Sequence, residues 1–177
     1  MSESSVHSDI KHDLYWELLS DDVFADIEKS IGRTRTDVIT EMAGVPIAIE
    51  IQYTTIPISS ILRRMREHTK EGFHTLWLIP EASILWGCKV RNLNWIRFIQ
   101  RLQNGVIFLP CDGRRVIPAR VDNALKWAGK GLIAEGRILD RREPADLDSL
   151  RFEKGEFDLN ITTCDEWWID TYLEIYD

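Results

Sequence analysis

The chain is 177 residues long, 44% apolar and 10% aromatic, with a net charge of −7, which suits one globular domain or one domain with a compact extension. No stretch approaches the ~20 apolar residues that a membrane-crossing helix needs, and residues 1–8 lack the basic start and apolar run of a secretory leader. Cys88, Cys111 and Cys164 form neither a C-x-x-C pair nor an even framework, which argues against disulfides and structural zinc and fits a reducing, cytoplasmic setting.

The charge is unevenly distributed: residues 1–59 carry −7, residues 60–142 carry +9, and residues 143–177 carry −9. A basic middle between acidic ends is compatible with phosphate binding on one surface, and equally with solvated helices rich in arginine.

Ser8 is placed to cap a helix over residues 9–19, where Ile10, Leu14 and Leu18 recur at helical spacing. Asp21-Asp22 breaks that pattern, and residues 23–31 read as a strand weakened by Glu28 and Lys29. Residues 36–42 and 46–52 are β-branched strands around the turn Ala43-Gly44, so they pair as an antiparallel hairpin. Ser59 caps a helix that Gly72 ends, and residues 75–79 form a buried strand stopped by Pro80.

Trp95, Phe98, Ile99 and Leu102 mark an amphipathic helix ending at Asn104-Gly105, and residues 106–109 and 115–121 read as short strands. Residues 123–128 suggest a helical turn or two, and the charged stretch 140–158 suggests a loop. The tail, residues 161–176, is rich in aromatic and β-branched residues and reads as packed strand or helix. This order predicts an α/β fold, a mixed sheet flanked by helices, with a core over residues 1–90. Residues 91–177 form a C-terminal α+β extension, or a continuation of the same domain.

Chemistry concentrates in the hairpin. Side chains alternate along a strand, so Glu50 and Gln52 share a face while Ile51 takes the other. Asp37 opens the outgoing strand and Glu50 closes the returning one, so the hairpin brings them to one end of the sheet. Two carboxylates and an amide oxygen are hard donors suited to magnesium or manganese, which then meets a substrate phosphate. Glu50 lies among apolar residues and costs free energy there unless compensated. A metal would compensate it, and so would a buried partner such as Arg35.

No H-E-x-x-H motif, Gly-rich phosphate loop or G-x-S-x-G elbow is present, which disfavours zinc-peptidase, nucleotide and esterase chemistry. Arg63, Arg64, Arg66 and Lys70 lie on the helix that follows the hairpin, in position to contact phosphates, Arg64 foremost. Ion pairing to Glu67 and Glu71 is the alternative. Trp167-Trp168 cannot both face one core, and the acidic tail around them favours a homodimer contact over base stacking.

An Asp followed after about a dozen residues by Glu-x-Lys or Glu-x-Gln resembles the PD-(D/E)XK nuclease superfamily, and more closely the competence protein CoiA-like family. The pattern runs through His7 with Lys11, Glu28, Arg35-Thr36-Asp37-Val38, Ile49-Glu50-Ile51-Gln52, Ile58-Ser59, Arg64 and Trp77-Leu78-Ile79. The resemblance implies a metal-dependent nuclease acting on DNA for processing, recombination or defence, with Asp37 and Glu50 as Mg2+ or Mn2+ ligands. It further implies a catalytic set of Asp37, Glu50, Gln52, Glu28 (or Glu17) and Lys11, and nucleic-acid contacts from Arg64, Arg35 and Arg63. Gln52 stands where the superfamily usually has lysine, and Lys11 or Arg64 would then supply the cation. His68 stands where the family tends to have tyrosine. The rival expectation is a catalytically reduced nucleic-acid-binding or protein-interaction module on a nuclease fold.

Overall fold

The computed structural model describes residues 5–85, 94–127, 132–154 and 160–164. Helix α1 (Ser5–Ser20) leads into strands β1 (Ala25–Ile31), β2 (Thr34–Met42) and β3 (Val45–Ile51), then α2 (Ile58–Lys70) and β4 (His74–Leu78). A short α3 (Glu81–Leu85) and α4 (Asn94–Leu102) precede β5 (Ile107–Pro110), β6 (Arg115–Trp127) and β7 (Leu132–Leu139). The two-residue β8 (Ala145–Asp146), a 3-10 turn (Leu147–Ser149), β9 (Leu150–Lys154) and β10 (Asn160–Cys164) follow.

The main sheet runs β1-β2-β3-β4-β5-β6-β7 with β8 added beside β6, while β9 and β10 form a separate antiparallel pair. Strand β4 pairs in parallel with β3 and β5, and every other pairing is antiparallel. The sheet is therefore mixed and the fold α/β, as the element order predicts. Its central strand β4 is buried at every position, as a strand covered on both faces must be.

Two apolar cores sandwich the sheet. Leu14 and Leu18 of α1 pack with Ile47, Ile49, Ile51, Leu76 and Leu78 on one face. On the other, Ile61 and Met65 of α2 and Trp95, Ile96, Ile99 and Leu102 of α4 pack with Trp77 and Ile79. Period-2 alternation along β3 and β4 accounts for the division.

The β2–β3 connection is the two-residue Ala43-Gly44, with φ of 51° and 78°. Two consecutive positive φ values make it a primed turn, whose twist matches the flanking strands. The pairing Met42↔Val45 through Val38↔Ile49 follows.

Several expectations are corrected. Ser8 lies inside α1, which begins at Ser5, and its carbonyl is 2.7 Å from His12 Nδ1. Ser59 likewise lies within α2, whose N-cap is Pro57 without a side-chain cap bond. Residues 123–127 continue strand β6 instead of turning into helix, because they pair in register with Gly136 back to Leu132. Cross-strand pairing overrides the weak local helix preference there. The stretch 140–154 is not all loop, since β8, the 3-10 turn and β9 occupy part of it. Within the tail, residues 160–164 are strand, and Trp167-Trp168 lies outside the described residues.

Candidate active site

Asp37, Glu28 and Glu50 occupy one row across β1, β2 and β3. The register of β1 with β2 runs unbroken on both sides of Glu28 and Asp37, yet these two drop out of the ladder. Glu28 has a φ of 56°, a left-handed conformation that costs energy for any residue with a Cβ. Face alternation along β2 also breaks here. Val38 joins the α1-side core, whereas Thr36 Oγ1 lies 2.8 Å from His68 Nε2 of α2 on the opposite side. Regular alternation would place both residues on one face.

That local break aims the Asp37 carboxylate along the sheet. Its Oδ2 accepts a hydrogen bond from the Ile51 backbone N–H at 2.8 Å, just beyond the last β2–β3 pair, and lies 3.2 Å from His7 Nε2 of α1. Asp37 thus ties the two strand ends together where the ladder opens.

Glu50 projects into the α2 side and is 1% exposed. Its Oε2 pairs with the Arg64 guanidinium. The sequence pointed to Arg35 as a structural partner. Arg35 instead pairs with Glu28, and Arg64 reaches Glu50 because α2 packs over β4, the strand beside β3. Glu50 Oε1 is buried and accepts no hydrogen bond among the described residues, with His68 Nε2 3.5 Å away. Desolvation pushes the Glu50 carboxyl up to about 8, the Arg64 charge pulls against that rise, and the neighbouring Asp37 charge adds to it.

His68 is fully buried. Burial first, and the Arg64 charge second, lower it to about 4, so the imidazole is neutral at pH 7. Its Nδ1 lies 3.0 Å from Thr75 Oγ1 of β4, which completes a bridge from β2 through α2 to β4. Sequence inspection marks His68 only as a departure from the family pattern and misses this bridging role, although Arg64 and His68 at i and i+4 on one helix face are the legible trace of it.

The remaining candidates divide. Lys11 is 2% exposed and its Nζ donates to Glu28 Oε1 at 2.7 Å. Lys11 and Arg35 hold the Glu28 carboxyl below its usual range, so Glu28 serves these cations while standing beside Asp37 in the row. Glu17 lies against Gly113, in the turn between β5 and β6. Gln52 continues β3: its backbone N–H donates to Leu78 O at 2.9 Å, and its side-chain Nε2 donates to Thr54 O at 2.6 Å. That bond engages the nitrogen end of the amide. Arg63 is exposed on α2.

A mixed sheet flanked by helices, with acidic residues gathered where a β-hairpin ladder opens, defines an α/β nuclease-like domain. Residues 3–113 match the family model described as competence protein CoiA, nuclease-like domain, and the chain belongs to that family. The match runs from α1 through β5, over more than half the chain, and takes in Asp37, Glu50, Arg64 and His68. No curated protein and no solved structure matches the chain significantly.

Proposed function

We propose that this protein is a metal-dependent nuclease that hydrolyses phosphodiester bonds in DNA. One observation carries the reading: Glu50 Oε1 is a buried carboxylate oxygen without a hydrogen bond among the described residues, beside Asp37, in a chain of a nuclease-like family. Arg64 alone leaves this carboxyl raised to about 8, so ionising it at neutral pH calls for a further cation.

The residues fit magnesium or manganese. Such ions keep several waters and need only one or two protein carboxylates together with substrate phosphate. Among the described residues, no group of three or more His, Cys, Asp and Glu is arranged to hold a metal, so the reading rests on the pair Asp37 and Glu50. Asp37 and Glu50 would hold the ion, and the Gln52 side-chain oxygen is a further hard donor. When bound, the ion supplies positive charge that polarises a phosphate and acidifies water.

The chain's own groups do the rest. Gln52 positions water through its amide but supplies no charge. Arg64 is the cation already at Glu50, suited to stabilising charge that develops on phosphate oxygens. His68, neutral and hydrogen-bonded at both nitrogens, holds the Glu50 side of the site in place.

Neutral Gln52, with its nitrogen bonded to Thr54 O, favours a second reading, a nucleic-acid-binding module with reduced catalysis. Cleavage of supercoiled plasmid and single-stranded DNA, with magnesium, manganese or chelator, separates the two. The expected result is metal-dependent nicking that is lost in Glu50→Ala. Folded wild type that binds DNA but never cuts it, in any of these metals, would leave the binding module standing.

A further inference from the structure

We propose that Arg97 and Arg101 of α4, together with Arg63 and Arg66 of α2, form a track for the phosphate backbone of duplex DNA running away from the candidate active site. The track rests on the nuclease reading for the identity of its occupant. Its geometry stands on separate residues.

Helices α2 and α4 cover the same face of the sheet, since both contribute to the core around Trp77 and Ile79. The rotation of α4 is set from beneath. Gln100 Oε1 accepts the Val121 N–H at 2.7 Å, and Gln103 Oε1 accepts the Trp77 N–H at 2.7 Å. With Trp95, Ile96, Ile99 and Leu102 also buried, Arg97 and Arg101 are left on the outer surface, one turn apart. On α2, Ile61, Met65 and His68 face inward, and Arg63 and Arg66 are exposed.

Many of the other described arginines answer carboxylates: Arg35 with Glu28, Arg64 with Glu50, Arg114 with Asp21 and Asp148, Arg141 with Glu81. Arg63, Arg66, Arg97 and Arg101 have no ion pair or side-chain hydrogen bond among the described residues. Four such guanidinium groups on one face of a chain with net charge −7 complement a polyanion.

The spacing suits a duplex. Helix α4 packs over β5 and β6, two to three strands from β3, a displacement of roughly 10–15 Å at sheet spacing. That span corresponds to about three to four base pairs along a duplex. DNA engaged at Glu50 through Arg64 on α2 therefore passes over α4 within a few base pairs of the cut.

Affinity for a short DNA duplex, measured by fluorescence anisotropy in chelator across a range of sodium chloride, tests the track. Arg97→Ala with Arg101→Ala should weaken binding and lower the log–log salt slope by about two, one per lost phosphate contact. The exposed positions should leave thermal stability unchanged. Arg97→Lys with Arg101→Lys should restore the slope, because lysine remains a point charge for phosphate. A wild-type slope in the alanine variant overturns the track, as does a loss of binding that lysine fails to restore or a wild type with no duplex affinity. Wild type that binds with the expected slope change yet never cleaves supports the track and removes the nuclease reading, so the two fail separately.

Discussion

Glu50 and His68 are packed against each other and titrate in opposite directions from their ordinary values. Glu50, raised to about 8 chiefly by desolvation, binds its proton more tightly in the folded chain than in the unfolded one. The stability it contributes is full below its unfolded value of 4.5 and is lost as pH climbs through 8. His68, lowered to about 4 chiefly by desolvation, costs the fold stability as pH falls from 6.5 toward 4. Between pH 6.5 and 8 only Glu50 of the two still changes state. In chelator, the melting temperature of wild type should fall across that window relative to Glu50→Gln, equivalent to about 2 kcal/mol at most. Parallel melting curves of the two proteins from pH 6.5 to 8 would show that Glu50 ionises normally.

At the scale of elements, the β2–β3 hairpin carries the site, and its turn is less than optimal. Ala43 sits at a φ of 51°, where a Cβ costs about 1–2 kcal/mol and asparagine is better tolerated. Ala43→Asn should therefore stabilise the chain by about 1 kcal/mol in urea unfolding and leave the site untouched, since the turn is at the far end of the strands from Glu50. A destabilised variant would mean that the turn relaxes away from the primed geometry in solution. The opposite end of the hairpin shows a different solution to strain. There Glu28 accepts a left-handed backbone, and its carboxylate meets the Lys11 and Arg35 cations. The distortion releases Asp37 from regular pairing to reach the Ile51 N–H.

For the molecule as a whole, the two cores divide the labour. The α1 side seats Lys11, Glu28, His7 and Asp37, while the α2 side seats Glu50, Arg64 and His68. A metal held by Asp37 and Glu50 would favour the folded state by mass action. At about 100 times its dissociation constant, magnesium or manganese should add about 2.7 kcal/mol of stability, read as a rise in melting temperature that Glu50→Gln abolishes. An equal rise in wild type and variant would place the ion elsewhere. Among the described residues no helix is long and apolar enough to cross a membrane, and the main sheet includes β5, β6 and β7 as well as β1 to β4.

Local pattern alone determined much of this protein. The β-branched runs around Ala43-Gly44 specified the hairpin and set Asp37 against Glu50 at one end of it. Periodicity located α2, α4 and the buried β4. Tertiary structure decided what depends on partners distant in sequence. Residues 123–127 became strand because β7 supplies their backbone partners. Glu50 took Arg64 and not Arg35 because α2 docks over β4, beside β3. His68 became a neutral bridge because burial removed its charge and placed Thr36 and Thr75 within hydrogen-bond reach. Alternation and propensity act between near neighbours in the chain, whereas desolvation and ion-pair choice are settled only when the packed layers exclude water.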